Sequence, residues 1–326
     1  MQDKHNYKKA IEEFPDQITQ ALELAKDAKV HGDFDSACIC GMGASAFARD
    51  LITTYASNTN PIWVAREYNL PREITDKTLI LASSYSGNTE ETLSCFNEAK
   101  ERGLKIIGFS KNGKLEELCD KHNIPLVKYP NIGEDYQPRW AFGYSFGAMT
   151  KALMNCKVIP NTEEELQKLP EKLENLDFEK QAKDAAKKIF KKIPLVFGPQ
   201  KLKYVARIWQ VNFNESAKIP AYWNYFPEVN HFELTGYTQK LCDMIAIMLR
   251  DKEDIPRISE RMDITAKLLA EKGIETVFID LPKGELLVRM FGGILLSMWT
   301  SYFLAEKYGV DPAPTEMVEK LKKMLS

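Results

Sequence analysis

The chain has 326 residues and a formal net charge of -2. That length is enough for two domains with sizeable cores. The near-balance of charge excludes a partner held mainly by nucleic-acid or anionic-lipid electrostatics. The first residues, MQDKHNYKKA, are polar, with no apolar signal region, and no run is expected to approach the length that spans a bilayer. A cytoplasmic protein without a membrane or nucleic-acid partner is therefore expected. Six cysteines form no CxxC pair, and Cys38 and Cys40 fall two apart on a predicted strand, facing one side of a sheet. They read as reduced, buried thiols. The four histidines are scattered without metal-ligand spacing, so neither a metal nor another cofactor is expected.

Residues 6–30 read as an amphipathic helical region, with Ile11, Phe14, Ile18, Leu22 and Ala25 near helical spacing. Apolar strands then alternate with amphipathic helices, at 37–40, 62–65, 79–82, 106–109 and 126–128. Continuous apolar strands of this kind form a parallel sheet covered on both faces. Residues 162–192 are rich in Glu and Lys between Pro160, Pro170 and Pro194, and read as a helical connector. Beyond it the order repeats. ICGMG at 39–43 has its counterpart in VFGPQ at 196–200, and LILASS at 79–84 in MIAIML at 244–249. ERGL at 101–104 is matched by EKGI at 271–274. The expectation is an α/β protein of two doubly wound subdomains, each an αβα sandwich, divided as 1–155, connector 156–192 and 193–326.

The stretch 79–93, LILASSYSGNTEETL, joins a buried strand to a helix start. Asn88 is the expected N-cap, with Glu91 as its capping-box partner. A helix N-terminus offers unpaired N–H groups and a positive dipole end, which suit an anion. Ser83, Ser84, Ser86 and Thr89 add hydroxyl donors, and Gly87 permits close backbone approach. No Lys or Arg lies in this stretch, which points to a phosphate monoester held by neutral donors and away from a P-loop with its lysine. An ordinary strand-to-helix turn has the same composition. In the second half RDKED stands in its place, so one such site per chain is expected.

GMGASA at 41–46 also follows a strand and opens a helix, as in a G-x-G-x-x-A dinucleotide fingerprint with Glu67 as its ribose-binding acid. A sugar-phosphate site framed by both loops, with Ser45 adding a hydroxyl, accounts for the second loop as well.

The two loops together resemble the sugar isomerase (SIS) fold. Pro138-Arg139 before an apolar helix, NESAK at 214–218, EVNHFE at 228–233 and Asp311-Pro312 narrow the likeness to the bifunctional phosphoglucose/phosphomannose isomerases. Ala44 and Ala46 stand where other members often carry glycine or another small residue. The resemblance implies two SIS subdomains, a homodimer in which His231 is shared across the interface, and phosphosugar substrates: glucose 6-phosphate, mannose 6-phosphate and fructose 6-phosphate. It implies that Gly43, Ser45, Ser84, Ser86 and Thr89 bind the phosphate. Glu215 would be the catalytic base, Arg139 would hold enediolate charge, and His231 and Lys307 would open the sugar ring. Thr300 would line the pocket near C2.

Other readings stay open from the residues themselves. Glu215 can be an exposed helix-end residue, His231 a structural histidine in an aromatic loop, and Arg139 an ion-pair partner. Thr300 and Lys307, seven apart, share a helix face off the apolar stripe of Ile294, Leu295, Met298, Trp299, Tyr302 and Phe303, facing either a cleft or water. A non-catalytic sugar-phosphate sensor would keep the phosphate loops but need neither Glu215 nor His231. Another SIS phosphosugar isomerase is a further alternative. An amino-sugar synthase would be expected to add a glutaminase domain before residue 36.

Overall fold

Short apolar strands flanked by helices organise the chain in a computed structural model, which describes residues 3–133 and 136–325 apart from the side chains at 44–46, 322 and 325. The residues fall into two compact units, 13–172 and the discontinuous set 3–12 with 173–325.

In the first unit the strands are β1 (Ser36–Cys40), β2 (Ile62–Ala65), β3 (Thr78–Ser83), β4 (Ile106–Ser110) and β5 (Leu126–Lys128), ordered β2-β1-β3-β4-β5 with every pair parallel. β1, β3 and β4 are buried throughout, which is why they carry unbroken apolar runs. Cys38, Cys40, Ile80 and Ala82 pack with Cys95, Phe96 and Ala99 of the helix Glu90–Glu101, and with Leu115 and Cys119 of the helix Lys114–His122. Cys38 and Cys40 thus share a face as expected, as free buried thiols. Alternate residues of these strands point the other way. The helices Asp16–Leu24 and Gly43–Tyr55 each pack on Phe142–Asn155.

In the second unit β6 (Ile193–Pro199), β7 (Tyr222–Phe226), β8 (Met244–Arg250) and β9 (Glu275–Asp280) take the order β7-β6-β8-β9, again parallel. This repeats β2-β1-β3-β4 strand for strand, and only the first unit adds a fifth. The correspondence extends to the helices. Glu179–Ile189 and Lys203–Glu215 pack on Leu286–Tyr308 as their counterparts do in the first unit.

Two expectations need correcting. By length and composition, Leu286–Tyr308 is long and apolar enough to cross a membrane. Its residues from Leu287 to Ala305 are all buried in the protein, so the apolar character that a lipid would demand is used here for packing. The amphipathic segment 6–30 is two helices, Tyr7–Glu12 and Asp16–Leu24, parted at Pro15, and they belong to different units. Tyr7 explains the first assignment, since its hydroxyl lies 3.3 Å from Ser301 Oγ on the long helix. The units divide at 12/13 and 172/173, so the Glu/Lys-rich stretch is shared between them.

Candidate active site

In an open parallel sheet, loops diverge where the strand order reverses, and ligands bind in the crevice left there. In the first unit that point lies between β1 and β3, which are neighbours with Cys40 beside Ala82. The Gly41–Gly43 turn and the 84–89 loop therefore flank one crevice. The strand order is 2-1-3-4-5, not the order of a dinucleotide-binding sheet. Gly43 takes φ +51, and the space a Cβ would occupy is open. The backbone of Ser45 lies in the helix Gly43–Tyr55, and its side chain is outside the described residues.

The Ser/Thr loop is tightly pinned. Ser84 N–H donates to Phe109 O at 3.0 Å, extending the sheet ladder, and Gly87 N–H turns back to Ser84 O at 3.0 Å. Ser84 Oγ lies 2.8 Å from Thr89 Oγ1 and accepts from Thr89 N–H at 3.3 Å. Ser84 is buried, Thr89 half-buried and Ser86 exposed, so the hydroxyls step from the sheet edge outward to solvent. Asn88 does not cap the helix that follows. That helix starts one residue later, with Thr89 as its N-cap. Asn88 Oδ1 instead accepts from Lys114 N–H at 3.1 Å, at the start of the next helix, and Asn88 Nδ2 donates to Ser86 O at 3.0 Å. One amide thereby ties two helix N-termini together.

Arg139 lies on the one-turn helix Pro138–Trp140, which packs against Gly43–Tyr55. It is buried, with Nη1 donating to Gln137 Oε1 at 3.2 Å and its guanidinium 5.3 Å from the Trp140 ring. A cation desolvated in this way is suited to a ligand's negative charge.

In the second unit Glu215 ends the helix Lys203–Glu215 and is half-buried. With Asn214, Tyr222, Asp311 and Thr315 it lines a cleft of about 880 Å³. Lys218, at φ +59, donates its ammonium to the carbonyls of Glu215, Pro312 and Pro314, the second at 3.3 Å. The cation offsets the negative end of the helix dipole and fastens that end to the 312–314 segment. In the sequence Lys218 was visible only as the last letter of NESAK; its left-handed backbone and three carbonyl partners carried no local signal.

His231, Thr300 and Lys307 lie outside that cleft's lining. His231 is exposed after the short turn Glu228–Asn230, its N–H bonded to Glu228 O at 3.0 Å. Thr300 is fully buried, with Oγ1 donating to Leu296 O at 2.6 Å. Lys307 is exposed in the last turn of the same helix, 5.0 Å from the Phe190 ring. The two share a helix face, but Thr300 sits in the enclosed stretch and Lys307 where the helix emerges. Among the described residues no group of three or more His, Cys, Asp or Glu side chains is arranged to hold a metal ion.

The second unit's own switch point lies between β6 and β8, and the loop after β8 carries a buried ion pair. Asp251 is buried, and its carboxylate accepts from Glu253 N–H at 3.0 Å and from Arg289 Nη1 at 2.5 Å. Arg289, also buried, donates as well to Gly284 O at 3.1 Å.

Residues 178–325 match the family described as "Bacterial phospho-glucose isomerase C-terminal SIS domain". The fold is also that of the C-terminal domain of glucosamine-fructose-6-phosphate aminotransferase from Francisella tularensis, at a TM-score of 0.72 and 14% identity, covering 95% of this chain and 98% of that one. A duplicated αβα fold with a hydroxyl-lined switch point is thus a SIS-domain protein. Over 338 residues the chain is 33% identical to a bifunctional phosphoglucose/phosphomannose isomerase of Caldicellulosiruptor bescii, spanning 97% of this chain and 98% of that protein. Another from Aquifex aeolicus is 32% identical, with 97% of both chains covered. The chain belongs to the bifunctional phosphoglucose/phosphomannose isomerase family and is an isomerase.

Proposed function

We propose that the protein interconverts glucose 6-phosphate and mannose 6-phosphate with fructose 6-phosphate through a cis-enediolate. The observation that carries this reading is the hydroxyl cradle at the first switch point, where Ser84 and Thr89 meet at 2.8 Å before a helix N-terminus. Gly43, Ser45, Ser84, Ser86 and Thr89 hold the phosphate, far enough from C1 and C2 that its binding supplies orientation. Glu215 removes the C2 proton of the aldose and returns it to C1, a shuttle that a carboxylate performs without a co-reactant. Arg139 holds the enediolate oxygen as its charge develops. His231 and Lys307 open the cyclic sugar, a task for a group that both gives and takes a proton. Thr300 keeps the wall near C2 small. Both C2 epimers lose their proton to the same enediolate, so one site can serve both.

The working form we propose is a cytoplasmic homodimer, with His231 completing the partner's site. The exposure of both His231 and Phe232 favours a role facing a second chain. The decisive measurement is a coupled assay with fructose 6-phosphate on the wild type and Glu215→Gln. The expected loss in kcat is about 100-fold or more, with KM within about threefold because phosphate binding is untouched. A variant at full rate removes Glu215 as base, and formation of a single aldose removes the dual specificity.

A further inference from the structure

The phosphate loop carries one polar side chain that its own fold leaves unsatisfied. Tyr85 stands between Ser84 and Ser86, its carbonyl fixed by Lys111 N–H at 3.0 Å and its ring stacked on Tyr129 at 6.0 Å. The residue is only 9% exposed, and its hydroxyl is buried with no hydrogen-bond partner among the described residues. Its neighbours are better served. Tyr144 OH donates to Gln20 Oε1 at 2.6 Å, Tyr136 OH to Trp140 O at 3.2 Å, and Tyr129 OH lies 3.5 Å from Ser83 Oγ. A buried donor left unmade is costly, and folded proteins keep few of them. Burial also pushes the Tyr85 phenol up to about 12, so it stays a donor at any ordinary pH.

We propose that the Tyr85 hydroxyl is a substrate-binding donor, completed by an oxygen of the bound phosphosugar. The inference rests on the phosphosugar reading of this crevice. It places in the ligand a partner that the protein itself does not supply, and it adds a phenol to a cradle otherwise made of aliphatic hydroxyls and backbone N–H groups.

The test is Tyr85→Phe, with Tyr144→Phe as a control that removes a satisfied phenol of the same unit. Thermal unfolding is followed with and without fructose 6-phosphate, alongside steady-state kinetics. For Tyr85→Phe the ligand-free Tm rises, because an orphaned donor is gone. KM rises about tenfold, the loss of one hydrogen bond, and the Tm gain from fructose 6-phosphate shrinks. Tyr144→Phe does the reverse, with a lower Tm and an unchanged KM. A Tyr85→Phe protein whose KM and ligand-induced Tm gain match the wild type overturns the proposal, since the hydroxyl is then satisfied by water or by nothing. If the wild type is stabilised by fructose 6-phosphate without turning it over, the isomerase reading fails and the Tm comparison still decides Tyr85. A wild type that neither binds nor reacts overturns both.

Discussion

Gly87 shows how much of the crevice depends on single atoms. It takes φ +70, and a Cβ there would fall 1.6 Å from Asn112 O, inside a backbone that cannot give way as a side chain can. Its N–H and carbonyl also close the turn, to Ser84 O and from Leu115 N–H, both at 3.0 Å. Gly87→Ala must therefore displace either its own loop or the start of the helix Lys114–His122. The expected result is a loss of about 2 kcal/mol or more in urea unfolding and no thermal stabilisation by fructose 6-phosphate; normal binding would show that the loop does not hold the phosphate. Asn88 teaches the complementary lesson. Its position before a helix made it read as that helix's cap, because capping rules use only local sequence. Its real partner, Lys114 N–H, is 26 residues away. A long-range partner of that kind leaves no trace in the spacing.

Among the elements, the strands were the most legible, since burial on both faces forces unbroken apolar runs and the repeated order survives low identity. The buried pair after β8 was not. RDKED read only as charge in place of a hydroxyl cradle, yet Asp251 is buried against Arg289, 38 residues on. Arg289 itself lies in a helix whose apolar run suggested no charge partner at all. The pair is a liability if halved. Asp251→Ala leaves a buried guanidinium facing an empty position, for an expected cost of about 3 kcal/mol or more, read in urea unfolding. Pairing it with Arg289→Met should restore much of that loss, because most of it is the penalty of the stranded charge. Equal destabilisation of single and double variants would mean that the carboxylate's contact with Glu253 N–H matters more than the ion pair.

For the molecule as a whole, the absence of a hydroxyl cradle from the second copy sets the binding stoichiometry. Two copies of the fold are present, but only the first carries a hydroxyl cradle after its switch-point strand, where the second has RDKED. Calorimetric titration with fructose 6-phosphate should therefore saturate at about one molecule per chain, and a value near two would mean that Asp251 yields its place to phosphate. The sequence indicated one site from the missing hydroxyls. It did not reveal that the corresponding loop holds a buried carboxylate paired with Arg289.

The division of the chain has a consequence for synthesis. Residues 13–172 are continuous and can pack as soon as they leave the ribosome, whereas residues 3–12 belong with residues from 173 onward. The helix Tyr7–Glu12 is made before residues 13–172, yet its partner helix, Leu286–Tyr308, begins 279 residues after it does. At about 5–20 residues per second the wait is about 15–60 s. For that interval Tyr7 and Ile11 are apolar side chains without their core, and the early helix depends on whatever shields it until Leu286–Tyr308 arrives.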